Sequence, residues 1–304
     1  MKSKSDKKRP NKASRTTSQE LEVTVGTIQS DKFQLGYKVI GSGAAAIIVG
    51  SNLYYSRTFS TDLAKRFCLY FIDHRAYAPA SKPVQEDDFS LDKVVSDIEL
   101  SRVALGVDRM TIIGHSGNGF MALEYARLYP SRVSHVILIS TPPNLSADLN
   151  DKSEQRFKTE ASKLRQEIYD KEISLLSSDA KKHPQEQFKY LLLRTGPRSW
   201  LDPFFDAAPL WRDVITHDVG FDLLWGKVFP DFDMKCVAAA ISAPVFLALG
   251  RHDYINPPIE SWKEYQGYFR DIEIEIFEKS GHTPQLEEPE RFNEALIRFI
   301  QRHQ

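Results

Sequence analysis

The chain has 304 residues, of which 41% are hydrophobic, and its formal net charge is −1. This length can bury a large core, and the nearly neutral charge excludes a global field that would attract nucleic acid or a membrane surface. No apolar run approaches the length of a membrane span. We expect a globular protein that acts on a small molecule or short peptide; its oligomeric state is left open.

Residues 1–20 differ from the rest because they are rich in lysine and arginine. They lack the apolar region of a secretory signal, so we expect a disordered, solvated tail. The alternative is a weak contact with an anionic surface.

The cysteine content indicates the cellular compartment. Cys68 and Cys236 are the two cysteines, and neither has neighbours at zinc-ligand spacing. A disulfide framework is therefore not expected, and a reducing, cytoplasmic location is favoured.

From residue 21 onward, short buried-type runs alternate with helical patterns. The predicted strands are 21–27, 33–40, 45–49, 67–72, 110–113, 133–139, 244–249 and 273–277, and the predicted helices are 91–105, the segment after Ser116 and 289–302. This alternation is typical of a mainly parallel sheet that is covered on both faces.

The rhythm breaks between residues 144 and 240, where no convincing strand occurs. Apolar residues recur there at helical spacing, at Phe157, Ala161, Leu164 and Ile168. We therefore predict a helical insertion at 144–240 in an α/β core formed by 21–143 and 241–304.

The segment Gly114-His115-Ser116-Gly117-Asn118-Gly119 lies between a predicted strand and a predicted helix. A sharp, glycine-rich turn at this point exposes a serine hydroxyl as a nucleophile. The N-terminal end of the following helix can stabilise negative charge nearby. Asn118 departs from the pattern, because a small residue is expected there.

A serine needs a base to remove its proton, and the base needs an acid to orient it. Asp253 and His282 each follow a predicted strand, and the order Ser116, Asp253, His282 is that of an enzyme with a nucleophile elbow. We therefore predict these three as catalytic residues. His115 is expected to point away from the nucleophile, and His252 to compete for the loop of Asp253.

These residues resemble the α/β-hydrolase superfamily, from about residue 21 to the C-terminus. Two further marks are Asp73-His74-Arg75, similar to the family's Asp-x-Arg-Gly turn, and the Gly-His loop at 281–289. The resemblance implies an α/β-hydrolase fold, with a mainly parallel eight-stranded sheet flanked by helices and a helical cap at 144–240. The run from His115 to Val136 is similar to the proline iminopeptidase-related branch.

The family's oxyanion hole takes one N–H from the residue after the nucleophile, which is Gly117 here. The second comes from the loop after the third strand. The family usually has His-Gly before the donor, whereas this chain has Gly50 and Ser51. The alignment assigns the second donor to Asn52, with Leu53 as the alternative.

The resemblance implies a serine hydrolase that cleaves small, largely apolar carboxylic esters or amides through an acyl-enzyme, without metal or organic cofactor. Tyr54, Tyr55 and Trp225 are predicted to bind substrate, and Trp200 and Trp211 to complete an apolar roof. The alternative is that the tyrosines and tryptophans are ordinary packing residues.

Two other functions stay open. Relatives in the proline iminopeptidase-related branch remove N-terminal residues from peptides and bind the free amine with cap carboxylates. Candidates here are Asp202, Asp206, Asp222, Asp231 and Asp233. A non-catalytic ligand receptor with the same fold is the other alternative.

Overall fold

The computed structural model describes residues 21–303, and the basic tail predicted for residues 1–20 lies outside them. Within this range one eight-stranded sheet has the order β1-β2-β4-β3-β5-β6-β7-β8. The strands are β1 (Val23–Ser30), β2 (Phe33–Ile40), β3 (Ala44–Gly50), β4 (Phe67–Asp73), β5 (Met110–His115), β6 (Val133–Ile139), β7 (Val245–Gly250) and β8 (Ile272–Phe277).

The sheet is antiparallel at one edge, where β1 pairs with β2 and β2 with β4, and parallel from β4 to β8. The prediction of a mainly parallel, eight-stranded α/β-hydrolase sheet is confirmed. Since parallel strands end at one edge of the sheet, the loops after β3 to β8 all lie there.

Helices cover both faces of the sheet. They are α1 (Asn52–Tyr55), α2 (Leu91–Ala104), α3 (Asn118–Leu128), α4 (Ala147–Glu160), α5 (Lys163–Ser174), α6 (Leu176–Lys182), α7 (Gln187–Arg194), α8 (Gly196–Ser199), α9 (Asp218–Leu223), α10 (Met234–Ala240), α11 (Pro284–Glu287) and α12 (Pro289–Arg302). Helices α2 and α3 share one buried cluster with the sheet, and α12 belongs to the cluster on the other face.

A helical insertion, from α4 to α10, lies between β6 and β7 at the place predicted for the cap. The apolar spacing from Phe157 to Ile168 does not belong to one helix, because α4 ends at Glu160. Ser162 then starts α5 by accepting a hydrogen bond from the backbone N–H of Arg165. The division of the chain into a core and a cap domain stays a prediction.

The structure shows no helix among residues 21–303 that is long and apolar enough to cross a membrane. Both cysteines are free; Cys236 is exposed and Cys68 is half-buried.

Candidate active site

Ser116 lies on the turn between β5 and α3, in the left-handed region with a φ of 55°. A serine seldom adopts this conformation, because it strains the backbone. Two hydrogen bonds hold the turn: the Ser116 N–H donates to the carbonyl of Ile139 at 2.8 Å, and the Thr141 hydroxyl donates to the Ser116 carbonyl at 3.0 Å. The end of β6 therefore fixes the strained turn.

Asp253 and His282 follow β7 and β8, and His282 Nδ1 lies 2.8 Å from Asp253 Oδ2. A carboxylate only accepts hydrogen bonds, so Nδ1 carries the proton and Nε2 is left as a base. Burial alone would raise the pKa of Asp253. The His282 side chain and the N–H groups of Asn256 and Ile255 outweigh burial and hold the pKa below its ordinary value.

Asn256 is a residue that the sequence reasoning missed. Its side-chain Nδ2 donates to Asp253 Oδ2 at 2.8 Å and to the Ser140 carbonyl at 2.6 Å. Its backbone N–H also points to Asp253 Oδ1, at 3.3 Å. Asn256 thus fixes the carboxylate that orients His282, and the short spacing from Asp253 was the available signal.

Ser116 and His282 line one cavity of about 70 Å³, which we call the catalytic cavity. The structure places the three residues predicted to bind substrate in its wall, together with two tryptophans of the helical insertion and a further tyrosine. The aromatic lining residues are Tyr54, Tyr55, Tyr77, Trp200, Trp211 and Trp225. The cavity is therefore mainly apolar.

No Asp or Glu from residues 21–303 lines the catalytic cavity. Three of the five carboxylates considered for amine binding cap turns or helices of their own segment: Asp202, Asp206 and Asp233 accept backbone N–H groups nearby. In the same range, no group of three His, Cys, Asp or Glu side chains is placed to hold a metal ion.

His115 lines the catalytic cavity together with Ser116, so the expectation that it points away from the nucleophile was wrong. Its Nε2 lies 2.7 Å from the His282 carbonyl, which only accepts, so Nε2 carries the proton. Its Nδ1 then accepts from the Tyr55 hydroxyl at 3.1 Å, and Asn118 Nδ2 donates to the same hydroxyl at 2.8 Å. Burial lowers the pKa of His115 to about 3 and raises that of Tyr55, so both keep these roles.

This hydrogen-bond chain from Asn118 through Tyr55 and His115 to His282 depends on Gly50. At φ 148° Gly50 has a backbone that suits glycine, and a Cβ there would lie 2.1 Å from the Tyr55 ring and 2.9 Å from Asn118 Nδ2. Asn118 therefore occupies space that a larger residue at position 50 would take.

The backbone N–H of Asn52, the predicted second oxyanion donor, forms a hydrogen bond within the protein. It donates to Asp73 Oδ1 at 2.6 Å, while its side-chain amide and the Gly36 N–H donate to Oδ2. Neither Asn52 nor Leu53, the alternative donor, is among the residues that line the catalytic cavity. In this conformation the Asn52 N–H is already hydrogen-bonded to Asp73, so it is not free to donate to an oxyanion. Burial raises the pKa of Asp73 to about 7, although the hydrogen bonds from Asn52 and Gly36 lower it.

The other predicted donor, Gly117, lies directly under Trp225. A Cβ at Gly117 would lie 2.4 Å from the indole ring. Trp225 is on a π-helical turn, Leu224–Val228, and its ring contacts Phe221 and Phe229. The absence of a side chain at Gly117 lets the indole cover the turn that carries Ser116.

Comparisons with known proteins agree with this fold. The family model for the alpha/beta hydrolase fold matches residues 41–289. The AB hydrolase superfamily protein YclE of Bacillus subtilis (strain 168) is 38% identical over 275 residues, 90% of this chain and 98% of that protein. A proline iminopeptidase of Heyndrickxia coagulans is 26% identical over 295 residues, 92% of this chain and 97% of that protein.

Among solved structures, the esterase EaEST from Exiguobacterium antarcticum superposes with a TM-score of 0.64. It is 20% identical, and the match covers 88% of this chain and 96% of the esterase. The length of the family match, the identity to YclE and the sheet order lead to one conclusion: the chain belongs to the α/β-hydrolase superfamily and is a hydrolase.

Proposed function

We propose that this hydrolase is a serine hydrolase that cleaves small, largely apolar carboxylic esters or amides through an acyl-enzyme, without a cofactor. One observation carries the proposal: Ser116, on a strained turn, shares a small cavity with His282, whose Nδ1 is hydrogen-bonded to Asp253. A strained serine beside an oriented imidazole is the arrangement that nucleophilic catalysis requires.

The reaction begins when Ser116 Oγ attacks the substrate carbonyl carbon and its proton passes to His282 Nε2. The tetrahedral adduct collapses as the same proton passes to the leaving alcohol or amine, which leaves an ester on Ser116. Water then attacks this ester with His282 as base, and the returning proton restores the serine. Asp253 stabilises the protonated imidazole in both halves.

The oxyanion of each adduct needs two donors. Gly117 at the start of α3 supplies one N–H in the proposed mechanism. Because the Asn52 N–H is hydrogen-bonded to Asp73, we propose the backbone N–H of Leu53, the next residue of α1, as the second donor. The role predicted for Asn52 requires a conformation in which Asp73 has released it.

The substrate class follows from the cavity wall. An aromatic lining without a carboxylate favours an uncharged acyl group over a peptide with a free amine. Aminopeptidase activity is the second candidate, favoured by the similarity to the proline iminopeptidase over 92% of this chain. We also propose that residues 144–240 act as the cap over this cavity, and that the protein works in a reducing cytoplasm.

A fluorophosphonate probe tests the nucleophile. The wild type should be labelled and Ser116→Ala should not, whereas Ser199→Ala is a matched control because Ser199 lines the same cavity. Absence of labelling in the wild type contradicts the proposal and favours a ligand receptor. Labelling of Ser116→Ala also contradicts it, because the nucleophile would then be another residue. A panel of p-nitrophenyl esters and aminoacyl-p-nitroanilides then separates the candidates; hydrolysis of prolyl nitroanilide alone would favour the aminopeptidase.

A further inference from the structure

A second, larger space lies beside the catalytic cavity. It is a groove of about 690 Å³ in the helical insertion, formed by α5, α7 and the segment 203–212; we call it the outer groove. Trp211 and Ala207 line both the groove and the catalytic cavity. Because Ala207 has only a methyl group, the Trp211 indole is the larger of the two side chains that face both spaces, and we call it the wall. Beside it, Trp200 of the cavity packs against Phe205 of the groove, with ring centroids 4.3 Å apart.

Contacts on both sides hold this wall in place. Trp211 is 4% exposed, and its ring lies 4.7 Å from that of Tyr54 in the core. Arg57, which follows α1, donates from one nitrogen to the carbonyls of Leu210 at 2.8 Å and Arg212 at 2.7 Å. These carbonyls flank Trp211 in the chain, so Arg57 fixes the backbone on either side of the indole.

The two spaces differ in what they can hold. An apolar cavity that binds benzene measures about 150 Å³, whereas the catalytic cavity has about 70 Å³. It therefore fits an acetyl or propionyl group but not a long acyl chain. The outer groove has ample volume, and its lining combines aliphatic and aromatic side chains with five charged residues. These are Glu172, Lys189, Arg194, Asp206 and Arg212, of which Arg194 and Glu172 form a pair at 2.6 Å.

We propose that Trp211 is the specificity-determining residue that limits the acyl group to short chains, and that Arg57 positions it. Behind the indole, the outer groove is an apolar-chain subsite that the acyl group reaches only when the wall is removed or released. This inference rests on the proposed serine-hydrolase function and adds the size of the acyl group that the enzyme accepts.

The test compares kcat/KM for p-nitrophenyl acetate and p-nitrophenyl hexanoate. The wild type should favour the acetate. Trp211→Ala should raise the hexanoate-to-acetate ratio by at least about 10-fold, since each methylene accommodated in an apolar pocket contributes about that factor. Arg57→Ala should shift the ratio in the same direction, because it releases the wall without changing either lining.

Leu210→Ala is the matched control. Leu210 precedes Trp211 on the same turn and lines neither space, so the ratio should not change. If Trp211→Ala fails to fold, Trp211→Phe, with a smaller ring, should give an intermediate shift. An unchanged ratio in a folded Trp211 variant, or an equal shift in Leu210→Ala, would overturn the inference.

Two fluorophosphonates, one with an ethyl and one with a hexyl group on phosphorus, distinguish failure of this inference from failure of the proposed function. Their labelling rates are compared in the wild type and in the Trp211 variants. If the wild type is labelled and the Trp211 variants change neither the labelling-rate ratio nor the ester ratio, the limit set by Trp211 is wrong and the nucleophile stands. If the wild type neither reacts with a phosphonate nor hydrolyses an ester, the proposed function is wrong and the inference falls with it.

Discussion

The hydroxyl of Tyr55 joins Asn118 to His115 in the hydrogen-bond chain that ends on the His282 carbonyl. The substitution Tyr55→Phe removes this hydroxyl and keeps the ring. The substitution leaves Asn118 Nδ2 and His115 Nδ1 buried without their partner. Each buried polar group that loses its hydrogen bond costs about 1–3 kcal/mol, so the free energy of unfolding should fall by about 2–6 kcal/mol. That is a large part of the stability of a typical domain, about 5–15 kcal/mol.

Urea unfolding followed by tryptophan fluorescence measures this loss, and Tyr77→Phe is the control. Tyr77 lines the same cavity and is buried, but its hydroxyl forms no hydrogen bond to any residue from 21 to 303. We also expect a lower kcat for Tyr55→Phe, because His115 loses one of the two contacts that hold it against His282. A loss of stability in Tyr55→Phe no greater than in Tyr77→Phe would refute the hydrogen-bond chain as a stabilising element.

Three further substitutions test other parts of the structure. Gly117→Ala should lower kcat/KM by about 5- to 150-fold, because overpacking against Trp225 costs the turn that carries Ser116 about 1–3 kcal/mol. Adding Trp225→Phe should restore part of the activity, and no recovery would contradict the contact. Burial lowers the pKa of His74 from 6.5 to about 3, so the fold holds it neutral and stability is lost as pH falls from about 6.5. His74→Asn should reduce that slope in urea unfolding by about 1.4 kcal/mol per pH unit, and an unchanged slope would show that His74 does not titrate on unfolding. Asp97→Ala removes the buried carboxylate that binds the Arg75 guanidinium at 2.7 Å and leaves it only the exposed carboxylate of Asp31, at 3.5 Å. Thermal unfolding should show a loss of stability of about 3–5 kcal/mol, and a loss below about 0.5 kcal/mol, the size of an ordinary surface change, would contradict the pair.

The sequence placed Ser116, Asp253 and His282 correctly at the ends of β5, β7 and β8, because buried strands and glycine-rich turns are local patterns. Parallel strands then bring these ends to one edge of the sheet whatever the loops contain. The sheet could be predicted for the same reason.

The directions of individual N–H groups and rings could not be predicted in this way. They depend on torsions at single residues, such as the left-handed backbone of Ser116 and the side chain of His115, whose ring centroid lies 4.7 Å from that of His282. The Asn52 N–H likewise turns to Asp73 because α1 begins directly after Ser51. Neither torsion leaves a periodic signal in the residue types.

The two departures from the family pattern that the sequence showed, Asn118 and Gly50, have one structural cause. The family's histidine at position 50 would place a side chain where Tyr55 and Asn118 now meet, since even a Cβ there lies within 3 Å of both. Glycine at 50 therefore permits the tyrosine ring, and the tyrosine hydroxyl gives the buried Asn118 amide an acceptor. The same hydroxyl donates to His115, which holds the loop of His282. The unusual residues around the nucleophile thus act together on the base, and this is why Tyr55, rather than either departure alone, is the residue to remove.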